Sequence, residues 1–258
     1  MTARQPDNSL DALRREIDSI DDQILALLVQ RFAATAKVGA SKAQDGSISS
    51  SPLRPAREAA MLRRLAAQGG TSLPPQLLVR LWRVILSASS QSQAPIILHM
   101  DESHSQNLGA RLLVSQYFCG MDVELHKTPS AAIGCLNFRR GDLVVIAAAS
   151  AWTDGFSSPA AGGAGVIGTL PFVTAAAEPQ LLVFGHAEPQ PSGDDETLLV
   201  APATISPPPS ALWAVQAGNH VVFALPGFLS ADEPVVQDLL RRYPETQIAG
   251  RCPRPMRA

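Results

Sequence analysis

The chain has 258 residues, 46% hydrophobic, 17% charged and 5% aromatic, which excludes a wholly disordered protein and allows one large domain or two small ones. No continuous apolar run reaches the ~18 residues of a membrane helix, which excludes a transmembrane span, and the polar start MTARQPDNSLDALRRE has no apolar signal core, so the protein is expected in the cytoplasm. The net charge of −2 hides an asymmetry: residues 1–93 carry +4 and residues 94–258 carry −6, as expected of two modules of which the basic one faces something anionic.

Residues 8–45 are predicted as one long helix. Leu10, Leu13, Ile17, Ile20, Ile24 and Leu27 alternate spacings of three and four, the a/d stripe of a helix that packs along its length on other helices. Asp7, Asn8 or Ser9 is the expected cap, and a Gly-, Ser- and Pro-bearing loop over 44–55 ends the helix. A second helix is expected from Pro55, a residue suited to the first turn, to Gly69-Gly70. A third, with Ser72 as cap and Pro74-Pro75 as its opening, carries Leu78, Leu81, Trp82, Ile85 and Leu86 and runs to about Gln93. Three helices with one very long member cannot bury a full stripe alone, so dimerisation through the long helix is expected.

From residue 94 the pattern changes. Apolar strands are predicted at 95–100, 121–126, 141–149, 179–186, 196–203 and 221–229, with a helix at 108–118 and a closing helix and strand in EPVVQDLLRRYP and TQIAGRC. This reads as an α/β or α+β scaffold broken by Gly- and Pro-rich loops. Cys119, Cys135 and Cys252 form no CxxC pair, and the five histidines show no metal-ligand spacing. The run Gly162-Gly163-Ala164-Gly165 neither follows a clear strand nor opens a clear helix, so no dinucleotide site is expected. Arg139-Arg140 and Arg241-Arg242 read as solvated faces, and the acidic charge speaks against nucleic-acid binding. Neither metal nor cofactor is predicted.

The helical part holds polar residues where packing wants apolar ones. Continuing the long helix's stripe past Leu27 brings Arg31 to the seam, where an unpaired guanidinium costs several kcal/mol. Lys42 lies eleven residues on, ~16 Å along the axis and within ~20° in direction. Two long cations on one face can converge on a small anion. On the third helix the inward stripe reaches Ser89 and then Gln93, which share a face. Arg57 and Glu58 open the second. Together they describe a bundle interior suited to a compact dianion bearing a hydroxyl.

These residues carry a resemblance. ALRREIDSIDDQILALLVQRFAATAKVGASK, RPARE and LVRLWRVILSASSQSQ resemble the all-helical chorismate mutases over about residues 8–93. The resemblance implies an all-α three-helix domain in an intertwined dimer that isomerises chorismate to prephenate. It makes Arg31 a carboxylate ligand, Lys42 and Gln93 the donors to the ether oxygen, and Glu58 the acid on the ring hydroxyl. Arg57 and Ser89 become accessory contacts, and Arg14 a residue supplied to the neighbouring chain's site; it lies ~25 Å along the axis from Arg31, too far to share one site within a straight helix. The loop between Lys42 and Arg57 is longer than usual, and Arg54 stands where some members have an acid.

The second part is similar to prephenate dehydratase followed by its regulatory ACT domain, as in bifunctional chains. PQLLVFGHAEPQPSGDDETLLVAPA resembles the junction, and PPSALWAV the Gly-Ala-Leu region, with Ser210 in place of Gly. The dehydratase's Thr-Arg-Phe motif is replaced by Pro179-Gln180-Leu181, and residues 95–190 are too few for its two lobes. No Glu-Ser-Arg-Pro segment is present either. The expected layout is a chorismate mutase domain over 1–94, a degenerate dehydratase-like α/β region over 95–190 without dehydratase activity, and a degenerate ACT-like domain over 191–258. Isochorismate pyruvate lyase on the same scaffold, and a non-catalytic sensor of chorismate or an aromatic amino acid, are the alternatives.

Overall fold

The computed structural model describes residues 9–44, 53–154, 156–161 and 163–257. The chain divides into two compact units between residues 47 and 48. Among the described residues of the first is a 35-residue helix, α1 (Leu10–Gln44). Ser9 caps it: its Oγ accepts the Ala12 N–H at 3.2 Å. The other candidate caps, Asp7 and Asn8, lie outside the described residues, as does most of the loop that follows. Leu10, Leu13, Ile17, Ile20, Ile24 and Leu27 are 44–63% exposed.

The long helix also revises the membrane reading. No continuous apolar run is long enough, but over Leu10–Ser41 the averaged composition and the length both reach those of a membrane-crossing helix. Arg31 and Lys37 interrupt its more apolar second half. The sequence-based exclusion of a span was therefore too strong.

The second unit is an α/β structure on one mixed sheet. It starts with α2 (Pro55–Gly69) and α3 (Pro75–Gln91). Pro55 occupies the first helical turn of α2, and Gly70, at φ +55°, ends it. Ser72 does not cap α3. Extended Pro74 precedes the helix and Pro75 opens it, so a preset φ replaces a side-chain cap. The helix also stops two residues short of Gln93.

Next come β1 (Ile97–Asp101), α4 (Glu102–Ser105), α5 (Leu108–Tyr117), β2 (Asp122–His126), α6 (Pro129–Cys135) and β3 (Leu143–Ala147). After these follow β4 (Gly165–Leu170), β5 (Val173–Thr174), β6 (Leu181–Gly185) and β7 (Asp195–Pro202). The chain ends with β8 (Trp213–Ala217), β9 (His220–Pro226), α7 (Pro234–Arg242), β10 (Gln247–Pro253) and β11 (Met256–Arg257). The nine-stranded sheet has the order β2-β1-β3-β6-β4-β10-β7-β9-β8. β1 runs parallel to β2 and β3, and β4 parallel to β10; the other neighbours are antiparallel. β5 and β11 form a separate parallel pair.

The nearly continuous apolar run of β3 reflects burial on both faces. Leu143 and Val145 join one core with Leu62 of α2, Leu78 of α3 and Val114 of α5. Val144 and Ile146 face the opposite core, with Leu136 beside α6, Trp152 and Phe184. The helices α2 and α3 thus share a core with the sheet. A third cluster packs Val236 and Leu239 of α7 on Leu199 and Phe223.

The last four strands, in the order β10-β7-β9-β8, are built from β7, a loop, β8, β9, α7 and β10. An irregular stretch over 203–212 stands where a βαββαβ unit would place its first helix. The strands predicted at 95–100, 121–126, 141–149, 179–186, 196–203 and 221–229 are all present, within a few residues, as β1, β2, β3, β6, β7 and β9. β4 and β8 were not anticipated.

The two parts of the sheet meet at β4 and β10, where Gly250 pairs with Val166. A Cβ on Gly250 would lie 2.1 Å from the Val166 carbonyl oxygen and 2.6 Å from its nitrogen, so any side chain there forces backbone apart. Gly250→Ala is expected to cost about 3 kcal/mol or more of unfolding free energy. A urea titration with an unchanged midpoint would refute this reading of the seam.

Candidate active site

The predicted site residues fall in both units. Arg14, Arg31 and Lys42 are on α1. Arg14 is exposed and pairs with Asp11 one turn away at 3.4 Å, a weak surface contact. Arg31 is half-buried, and its carbonyl accepts the Thr35 hydroxyl at 3.0 Å. Lys42 is helical, but its side chain lies outside what the structure describes.

In the second unit Arg57 is exposed on α2, while Glu58, one residue on, is turned inward. Ser89 is buried on α3 and donates to the Ile85 carbonyl at 2.7 Å. Gln93, just beyond α3, is half-buried and donates from Nε2 to the Ser89 carbonyl at 3.1 Å. The structure therefore brings Ser89 and Gln93 together as expected from their spacing, with both directed in part to helix backbone.

Glu58 has a partner that helix periodicity did not reveal. Arg83 of α3 donates from Nη1 to Glu58 Oε2 at 2.8 Å, the two side chains being only 14% and 10% exposed. The Arg83 guanidinium also lies over the rings of Tyr117 and Phe172, at 5.3 and 5.7 Å from their centroids. Burial pushes the Tyr117 phenol up, and its oxygen accepts the Phe172 N–H at 2.5 Å. Beside the pair is a cavity of about 50 Å³ bordered by Leu143, Tyr117, Phe172 and Val183. Ligand pockets usually measure ~300–1,000 Å³, so this cavity is a packing feature. Nothing in the stretch LVRLWRVIL distinguishes Arg83 from Arg80, because the partners of Arg83 are distant in sequence.

Other contacts tie the two helices to the sheet. Arg63 of α2 donates from Nη2 to the carbonyls of Asp194 and Arg254, at 2.6 and 2.7 Å, and from Nη1 to Ser192 Oγ at 2.9 Å. Ser87 and Gln91 of α3 both donate to the Cys119 carbonyl, at 2.8 and 2.9 Å. Deeper in the sheet, Glu196 accepts from Thr169 Oγ1 and Trp213 Nε1, each at 3.0 Å. Burial raises its carboxyl above the usual range despite those donors.

Residues 13–94 match the family model of chorismate mutase type II. The match takes in α1 from Leu13, all of α2 and α3, and every predicted site residue. The chain thus carries an N-terminal helical chorismate mutase domain followed by an α/β region with a large mixed sheet. That domain crosses the division between the compact units. No curated protein matches the chain. A solved structure described as "GqqA- a novel type of quorum quenching acylases" covers 61% of this chain and 94% of its own, at 13% identity and a TM-score of 0.35. That score is too low to carry a fold or an activity across.

The Glu58–Arg83 pair makes a prediction about the chorismate mutase segment. Removing one partner strands a buried charge, at a cost of ~3–5 kcal/mol. Arg83→Met and Glu58→Gln are each expected to destabilise the protein by roughly that amount, and the double variant by clearly less than the sum. Additive losses in a urea double-mutant cycle would show that the pair is uncoupled.

Proposed function

We propose that the chain is a chorismate mutase acting as a homodimer, converting chorismate to prephenate for aromatic amino acid biosynthesis. The chorismate mutase type II match over 13–94 carries the reading. The site residues at matching positions support it: Arg31 on a substrate carboxylate, Lys42 and Gln93 on the ether oxygen, and Glu58 on the ring hydroxyl. Arg57 and Ser89 add further contacts, and the partner's Arg14 completes the carboxylate clamp. The proposal needs no metal, cofactor, nucleic acid or membrane.

The rearrangement is unimolecular, so no nucleophile or obligatory proton transfer is required. The protein holds the chair-like conformer, which removes an entropic part of the barrier. Fixed donors then stabilise the negative charge that builds on the ether oxygen. Cations on one helix are suited to this, because their spacing is set by the backbone before substrate arrives. Glu58 presents its carboxylate toward Arg83, which fixes its orientation as an acceptor for a hydroxyl.

The exposed α1 seam supports the dimer. Burying a Leu or Ile fully is worth ~1.5–3 kcal/mol, so six half-exposed residues leave several kcal/mol to be gained by a partner helix. The strand order β10-β7-β9-β8 supports an ACT-like origin for residues 191–258. The missing Thr-Arg-Phe motif supports the absence of dehydratase activity over 95–190.

Chorismate consumption and prephenate formation by the full chain test the activity. Lys42→Ala is expected to lower kcat/KM ~100- to 1,000-fold, the usual effect of losing one such donor; near-wild-type turnover would remove Lys42 from the site. Pyruvate release from isochorismate without prephenate formation would favour the lyase, and binding without turnover the sensor. The dimer has its own test. Ile17→Glu together with Ile24→Glu is expected to give monomers in sedimentation and to abolish turnover, and a dimer that survived both charges would have to use another surface.

A further inference from the structure

Sequence spacing hides a group of side chains on the sheet face opposite α2 and α3. His99 is in the middle of β1 and fully buried; its neighbours Leu98 and Met100 face the core shared with those helices. Its ring points the other way, toward α6. His99 Nδ1 lies 2.9 Å from His126 Nε2, at the end of β2. Cys135, which ends α6, places Sγ 3.8 Å from the His126 ring nitrogens. The three ligand atoms all lie within 4.8 Å of one another. The histidines are 27 residues apart and Cys135 a further nine, so no linear motif marks them.

The remaining nitrogen of His99 is also occupied. Nε2 lies 3.1 Å from Asp142 Oδ2, and the other oxygen of that carboxylate accepts the Ile97 N–H at 3.0 Å. Asp142 is thus held by backbone and holds His99 in turn. This is the carboxylate–histidine arrangement that commonly backs a metal ligand, with the carboxylate fixing the tautomer that leaves the other nitrogen's lone pair free for the ion. Arg139 lies 4.0 Å from Asp142 and pairs with Glu124 at 2.9 Å, so the nearby Glu124 carboxylate is engaged elsewhere.

We propose that His99 Nδ1, His126 Nε2 and Cys135 Sγ form a zinc site, with Asp142 orienting His99 and a water completing the tetrahedron. Zinc–nitrogen and zinc–sulfur bonds of ~2.0–2.1 and ~2.3 Å place tetrahedral ligand atoms roughly 3.3–3.7 Å apart, so spacings that now run from 2.9 Å to within 4.8 Å would change by up to about 1.3 Å. Two imidazoles and one thiolate suit a borderline-soft ion better than calcium or magnesium, which take oxygen. On binding, the thiol gives up its proton to solvent. His126 and Cys135 are only half-buried, which leaves the fourth position open to water. The site rests on β1, β2 and α6, and stands or falls independently of the chorismate reading.

Cobalt(II) titration of the full chain, free of any histidine tag, tests this. A single saturable ion per chain is expected, with intense tetrahedral visible bands and a near-ultraviolet thiolate-to-metal band; zinc should displace it. Cys135→Ser should abolish the near-ultraviolet band while circular dichroism stays unchanged, and Cys119→Ser should leave it intact. Asp142→Asn should keep the band and weaken affinity ~10- to 100-fold. Failure of the wild type to take up either ion saturably, or a band that survives Cys135→Ser, overturns the proposal and leaves a hydrogen-bonded cluster. His99 is left unsubstituted because its burial would confuse binding with folding.

Discussion

The α/β region depends on a close approach of two backbones. Where β4 meets β10, Gly250 lies against Val166 so tightly that a methyl group has no room. On one side of this seam are β2, β1, β3 and β6, which carry α2, α3, α5 and α6. On the other are β7, β9 and β8, with α7. One glycine lets the two strand groups hydrogen-bond as a single sheet. The same continuity lets the core of Val144, Ile146 and Phe184 extend to Leu198, Val200 and Val222 without a break.

The sequence showed the elements better than their associations. The stripe from Leu10 to Leu27 and the runs around Leu143, Leu181 and Leu198 were legible, because periodicity and apolar burial are local properties. β4 was missed because its two glycines dilute the signal in GVIGTL, and β8 because Trp213–Ala217 follows a proline-rich loop. Placing α2 and α3 on the sheet required knowledge of what their inner faces meet. For the same reason Arg83 carried no signal in the sequence; its role depends on Glu58, Tyr117 and Phe172, which lie 25, 34 and 89 residues away. His99, His126 and Asp142 were scattered in sequence and met only when β1, β2 and the start of β3 aligned.

The basic charge of the first 93 residues serves two purposes. Arg63 and Arg83 are consumed within the fold, one on carbonyls and the other on a carboxylate and two rings. The cations of α1 belong to a helix whose apolar seam, from Leu10 to Leu27, is 44–63% exposed.

Arg63 also bears on how the chain came to be one protein. Its guanidinium joins a helix of the chorismate mutase segment to carbonyls at Asp194 and Arg254, the latter four residues from the end of the chain. Leu62 and Leu78 likewise sit in the core of the sheet. A family boundary near residue 94 is therefore not a boundary of cooperativity. With the inner faces of these helices given over to the sheet, loss of the distal residues would loosen the chorismate mutase segment as well. Selection on the helices alone would then preserve the acidic C-terminal half for the support it gives their fold.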